Sequence, residues 1–164
     1  MENRRRGKNY FKRVDGAPDP VVVEVRRRVH FNEVDILGMV WHVRYPVYFE
    51  EGSEELGRFC GLSYRDFFES GLRAPIVQLN IDYFKPLRLA EEFTIRAVLL
   101  WDESSRLNTE YYLLKTDGSL ATSGYTVQLL TGAESGEVCI ISPPLLERCR
   151  TRWKAGEFHS RNNK

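Results

Sequence analysis

Residues 31–61, FNEVDILGMVWHVRYPVYFEEGSEELGRFCG, constrain the fold more than any other stretch of the chain. Tyr45, Phe49, Gly52, Leu56 and Phe59 recur every three or four residues, which gives a helix with one apolar face. Pro46 suits its first turn, where a missing N–H is no loss, and Gly61 suits a C-terminal cap. Inside a helix, Gly52 and Gly57 each cost about 1 kcal/mol relative to Ala. Because Gly52 falls on the apolar face, the spacing predicts close approach of another element, as from a sheet wrapped around the helix. Glu50, Glu51, Glu54 and Glu55 crowd the first half, where free N–H groups favour anions. A solvated face with dipole compensation accounts for the last three.

The rest of the chain supplies strands. Val21, Val23, Val25, Val29 and Phe31 alternate with polar residues, which predicts a half-buried strand interrupted on its apolar side only by Arg27. His30 falls on the polar side, at the surface. Ser63 and Asp66 outline a capping box for a short helix that stops at Gly71. Residues 76–84 alternate again and end at Lys85-Pro86. Further strands are expected from Phe93 to Trp101, from Leu107 to Leu114 and from Ser119 to Leu130. Asp117-Gly118 supplies a hairpin turn between the last two, and Gly124 marks a bulge or a close-packing point. Val138–Ile141 reads as a short edge strand, and Ser142-Pro143 opens a C-terminal helix through Leu145, Leu146 and Trp153. One buried helix against antiparallel strands is an α+β domain over residues 21–153. Residues 1–20, basic and closed by Pro18 and Pro20, read as a disordered arm whose removal is expected to leave stability nearly unchanged. Residues 154–164 read as a tail.

Composition narrows the function classes. A chain of 164 residues suits one domain with a real core. A net charge of +1 gives no basis for nucleic-acid binding. No run of about 18 apolar residues is present to span a membrane. No apolar stretch follows the N-terminal arginines as in a secretory signal. Cys60, Cys139 and Cys149 lack metal-ligand spacing and read as reduced thiols in a cytoplasmic protein. Gly-rich phosphate loops, paired metal-spaced histidines and Gly-x-Ser-x-Gly elbows are missing, so neither a metal nor a cofactor is expected.

Chemistry concentrates before the long helix. Asp35 stands about ten residues before the helix register begins in earnest, too far to cap it, though a turn residue is the plain alternative. Val34, Ile36 and Leu37 flank it, an apolar setting that raises a carboxylate's basicity. The loop then reaches a helix start, where free N–H groups point outward. Such donors polarise a thioester carbonyl and hold the developing oxyanion, while a carboxylate activates water or attacks the carbonyl itself.

The string V-D35-x-x-G38-x-V-W41-H42-x-x-Y45-x-x-x-F49-E50 resembles the signature of the 4-hydroxybenzoyl-CoA thioesterase family of hotdog-fold proteins. It is most similar to the branch of small acyl-CoA thioesterases found with the Tol–Pal system, whose loop reads D-x-x-G-x-V-x-H-x-x-Y. The resemblance covers roughly residues 21–150 and implies an antiparallel sheet wrapped around one long central helix. It implies Asp35 as the catalytic carboxylate and His42 as the residue whose backbone N–H points at the thioester carbonyl, with its imidazole as a further participant. Gly38, Val40, Trp41, Val43, Tyr45 and Glu50 become substrate-binding positions, Trp41 and Tyr45 being either acyl-pocket walls or plain core. Arg44, Lys85 and Arg88 are the candidates for coenzyme A phosphates. Two departures bear on substrate choice: Val34 replaces the usual Thr, and Arg44 the usual Asn or Ser. The implied function is acyl-CoA hydrolysis without metal or redox cofactor. An acyl carrier protein thioesterase and a non-catalytic acyl- or CoA-binding protein are the alternatives. Val22, Val98, Leu100, Leu114 and Leu130 lie off the main apolar register. With the resemblance, they predict a homodimer with a continuous sheet, paired again into a tetramer.

Overall fold

The computed structural model describes residues 9–159. Strand β1 (Val21–Arg28) leads through two 3-10 turns, Phe31–Glu33 and His42–Arg44, into helix α1 (Tyr45–Cys60). There follow α2 (Tyr64–Glu69), β2 (Leu72–Arg73), β3 (Ile76–Tyr83), β4 (Glu92–Leu100), β5 (Arg106–Lys115), β6 (Leu120–Leu129), β7 (Thr131–Gly132) and α3 (Pro144–Lys154). Five strands form one antiparallel sheet in the order β1-β4-β5-β6-β3, and β2 pairs with β7 apart from it.

The sheet wraps α1, and the glycines show how closely. A Cβ on Gly52 would come 3.0 Å from Ile95 Cγ2 and 3.2 Å from the Ala97 Cβ, so α1 rests with its backbone on β4. Gly61 ends the helix in the left-handed region at φ +74°, its N–H donating to the Gly57 carbonyl. Beneath the first half of α1 lies a cluster including Val29, Tyr45, Phe49, Leu87, Ile95 and Leu113. Beneath its second half, Leu56, Cys60, Phe67, Leu99, Leu145 and Trp153 join α1, α2 and α3 to the sheet. This is the α+β hotdog arrangement that the helix register and the loop signature imply. The capping box at Ser63 and Asp66 forms as expected. Among the described residues, no helix is long and apolar enough to cross a membrane.

Four expectations change. Phe31 is 82% exposed, because the strand ends at Arg28 and the chain turns away into the first 3-10 turn. Val138–Ile141 forms no strand: Val138 makes one bridge to Thr131, while Ile140 and Ile141 face solvent. In the segment read as a tail, Phe158 is buried against Phe59, with their rings 5.6 Å apart. Residues 160–164 lie outside the described residues.

The fourth change concerns the N-terminal arm, of which residues 1–8 lie outside the described residues. From Asn9 the chain runs over the outer face of the sheet. The Tyr10 and Phe11 N–H groups donate to buried Glu110 Oε1 at 2.7 and 3.1 Å. The Tyr10 hydroxyl donates to Asp82 Oδ2 at 2.6 Å, and both rings sit 5.1 Å from Tyr125. Burial and the Asp82 carboxylate push the Tyr10 phenol up to about 12. Phe11 also lines one cavity with Val22, Val98, Leu100 and Leu114, four of the residues expected to be covered by a second subunit. Leu130 is not on that face at all, being fully buried in the second core cluster. Removal of residues 1–18 is therefore expected to lower stability. Hydrogen bonds to a charged group contribute about 1.5–3 kcal/mol each and aromatic pairs about 0.5–1.5. A loss of about 3 kcal/mol, or about 6–12 °C in Tm, is expected in a thermal melt. An unchanged Tm would show that this segment contributes nothing.

Candidate active site

The loop from Val34 to Trp41 is a narrow turn held on three sides. At its base the Trp41 N–H donates to the Glu33 carbonyl at 3.0 Å, and Val34 bridges Val40. At its tip the Asp35 N–H donates to Met39 O at 2.8 Å and the Gly38 N–H to Asp35 O at 3.0 Å. Gly38 has φ +73° with open space where a Cβ would stand, so glycine serves the backbone angle and not a crowded contact. Along its flank, Val40 N–H donates to Leu87 O and Leu89 N–H to Gly38 O.

Asp35 itself is half-buried. Its Oδ1 accepts from the Leu37 and Met39 N–H groups at 2.8 and 3.3 Å, which makes the carboxylate a turn-former. Its Oδ2 has no hydrogen-bond partner among the described residues. The turn role thus occupies one oxygen of the carboxylate. The apolar surroundings expected from its neighbours are not formed within one subunit: Ile36 is 100% and Leu37 70% exposed.

The loop delivers the chain to His42, first residue of the 3-10 turn that runs into α1. Neither Trp41 nor Arg44, the residues in the capping positions, caps these amides with its side chain. His42 is exposed, its ring 5.8 Å from Trp41 and edge-on to it. Its carbonyl accepts from the Tyr83 hydroxyl at 3.2 Å, and Tyr83 meets Tyr45 edge-on at 5.0 Å. Among the described residues no hydrogen bond joins Asp35 to His42.

The other expected site residues separate into groups. Trp41 and Val43 are exposed beside His42, while Val40 and Tyr45 are buried in the first core cluster and support the loop from beneath. Glu50 lies on the outward side of α1. Partial desolvation of its carboxyl, and then the charge of Glu54, raise it above the ordinary carboxylate value. Of the three cations, Arg88 is paired with Met39 across the loop. Arg44 folds back to donate to Asn32 O at 3.1 Å, and Lys85 sits near Asp117 at the β5–β6 hairpin. Cys60 is buried, and contact with Cys149 followed by burial pushes its thiol up, which suits a structural thiol and not a nucleophile.

A cavity lined by Ser53, Gly57, Leu62, Phe67, Thr109 and Gln128 lies under the second half of α1. It is about three helical turns from His42. Exposed apolar residues lie instead in the loop and next to it along the chain: Phe31 before it, Ile36, Leu37 and Trp41 within it, and Val43 and Val47 after it. One residue the sequence reading missed is Glu33, a buried acid at the root of the loop. Its signal was Arg27, a lone cation on the apolar side of β1 that requires a counter-charge.

Residues 29–149 match the family model described as the thioesterase-like superfamily. YneP of Bacillus subtilis, provisionally named an acyl-CoA thioesterase, is 27% identical over 107 residues, 65% of this chain and 78% of its own. The 1,4-dihydroxy-2-naphthoyl-CoA hydrolase of Thermosynechococcus vestitus is 28% identical over 96 residues, 58% of this chain and 66% of its own. The structure of a DHNA-CoA thioesterase from Staphylococcus aureus superposes with a TM-score of 0.73 at 20% identity, over 83% of this chain and 93% of that one. That likeness is one of fold. The family match spans the loop, the helix and the sheet together, and the chain belongs to the thioesterase-like superfamily.

Proposed function

We propose that the chain hydrolyses an acyl-CoA thioester, with Asp35 as general base or nucleophile and the amides at the start of α1 as oxyanion donors. Membership of the superfamily makes it a thioester hydrolase by class. The observation that carries the finer reading is the division of labour on Asp35. One oxygen is engaged by the Leu37 and Met39 amides, and the other accepts no hydrogen bond among the described residues, on a hydrogen-bonded loop that runs into a helix start without a side-chain cap. In this reading a donor such as the His42 N–H polarises the carbonyl. Asp35 takes a proton from water as the water oxygen adds to the carbonyl carbon, or attacks that carbon first and is released by water. The C–S bond breaks, the thiolate takes a proton to become CoA-SH, and the acyl group leaves as the free acid. The loop signature supports the 4-hydroxybenzoyl-CoA thioesterase family, and within it the Tol–Pal-associated branch.

The reading includes a second subunit. The exposed apolar side chains in and beside the loop in sequence, and the sheet edge at β3, where Ile76, Val77 and Leu79 are about half exposed, support a homodimer joined edge to edge. Such a partner would cover Ile36 and Leu37 and supply the dry setting that a single subunit lacks. Pairing of two dimers into a tetramer is supported by the family resemblance.

Free-thiol release across a panel of aliphatic and aromatic acyl-CoAs tests the activity. Turnover on at least one, with kcat/KM of about 10⁴ M⁻¹s⁻¹ or more, is expected. Release no faster than without protein on every substrate overturns it. Acyl-carrier thioesters belong in the same panel, because a relative named acyl-acyl carrier protein thioesterase ATL3, chloroplastic, from Arabidopsis thaliana is 25% identical over 92 residues. A monomer in sedimentation at micromolar concentration would sink the two-subunit site.

A further inference from the structure

Three elements meet at Glu33. Arg27, inward-facing on β1, brings its Nη2 to 2.5 Å from Glu33 Oε1. Glu33 Oε2 accepts from the His30 N–H at 2.7 Å and from the Tyr48 hydroxyl of α1 at 3.1 Å. The Arg27 guanidinium lies over the Tyr48 ring, 5.4 Å from its centre. Its Nε is 2.9 Å from Glu51 Oε2 at an angle too poor for a hydrogen bond, so that pair is an ion contact only. Both charges are mostly buried, with 16% of the Arg27 side chain and 8% of the Glu33 side chain exposed. Burial and the Glu33 carboxylate together push the Tyr48 phenol up, so it stays a donor.

The backbone of Glu33 is engaged as well. Its N–H donates to His30 O at 3.1 Å, and its carbonyl receives the Trp41 N–H. Trp41 immediately precedes His42, and Asp35 lies two residues beyond Glu33. The same residue therefore ties both ends of the Asp35 loop to β1 and to α1.

A buried carboxylate is expensive to desolvate, and apolar residues of similar volume often serve stability as well. Its directional bonds, unlike apolar packing, determine where the loop backbone runs. We propose that Arg27, Glu33 and Tyr48 are positioning residues that hold the Asp35 carboxylate at a set distance from the helix start at His42. This rests on the proposed thioesterase reading of the same loop.

The test joins steady-state kinetics to amide hydrogen exchange in Glu33→Gln, Tyr48→Phe and Arg27→Lys. Glu33→Gln keeps the shape and loses the charge. A displacement near 1 Å predicts a fall in kcat of about 10–10² with KM within about threefold. The Leu37, Met39 and Trp41 amides should exchange about tenfold faster or more, while β4 and β5 amides match the wild type. Arg27→Lys retains the charge but not the guanidinium geometry, and should lower kcat less than Glu33→Gln. Tyr48→Phe removes one hydrogen bond, falls between, and reads the proposal if the Gln variant does not fold. A kcat within twofold of wild type in both Glu33→Gln and Tyr48→Phe, or in Tyr48→Phe alone where the Gln variant does not fold, overturns the proposal. So does faster exchange spread evenly over the sheet, which marks general loss of stability. Exchange needs no substrate: loop-confined loosening in a protein inactive on every thioester would sink the thioesterase reading and leave the anchoring standing.

Discussion

Asp35→Asn is expected to lower kcat by roughly 10²–10⁴ and to leave KM little changed. The substitution is discriminating because of how the residue is held. An Asn carbonyl oxygen still accepts from the Leu37 and Met39 amides, so the turn survives. What disappears is the basicity of the other oxygen, which accepts no hydrogen bond among the described residues. Asp35→Glu recovers little, since an added methylene displaces the carboxylate by about 1 Å, which can cost ~10²-fold. His42→Ala is milder than Asp35→Asn where only the backbone N–H acts, and comparable where the imidazole takes part. Kinetics on the best acyl-CoA, with a melting curve for each variant, decide between these. A folded Asn variant retaining more than about a tenth of wild-type kcat would leave Asp35 as a turn-former only.

Gly124→Ala has the largest expected effect on stability. Gly124 lies in β6 between the neighbouring edge strand and the central helix. A Cβ there would come 2.1 Å from Asn80 O and 2.6 Å from Phe49 Cε2. Neither neighbour gives way cheaply. Asn80 belongs to the β3–β6 ladder, and Phe49 is stacked on Tyr111 with ring centres 4.4 Å apart and planes 10° from parallel. Overpacking of a close-packed core typically costs about 1–3 kcal/mol, and more where backbone must move. A loss of about 3 kcal/mol or more corresponds to a Tm lower by about 6–12 °C or more. Gly52→Ala provides the contrast. Its nearest neighbours are side-chain carbons at 3.0 and 3.2 Å, which can yield by a few tenths of an ångström. The gain of about 1 kcal/mol in helix propensity offsets part of that strain. Thermal melts should therefore rank Gly124→Ala well below Gly52→Ala. Equal melting temperatures would mean that the edge strand adjusts freely.

The amino-acid sequence by itself determined the elements that carry one buried face. The period of Tyr45, Phe49, Gly52 and Leu56, closed by Gly61, marks α1 because a helix on a sheet must repeat its apolar contacts every three to four residues. The capping box at Ser63 is legible because both its partners lie within four residues. The position of Asp35 before the helix is legible through the loop signature. Which of its oxygens is engaged is not, since that depends on the path of the Leu37 and Met39 amides. Other features depended on partners far away in the chain. Tyr10 reaches Asp82 and Ser123, Trp153 donates to the Asp19 carbonyl, and β2 and β7 are two residues each, too short to show a period. Arg27 interrupted an apolar pattern, yet nothing local named Glu33 and Tyr48 as its partners. Periodicity specifies which side chains leave water. Only tertiary packing decides which distant group satisfies each buried charge and donor, because that choice is made in space and not along the chain.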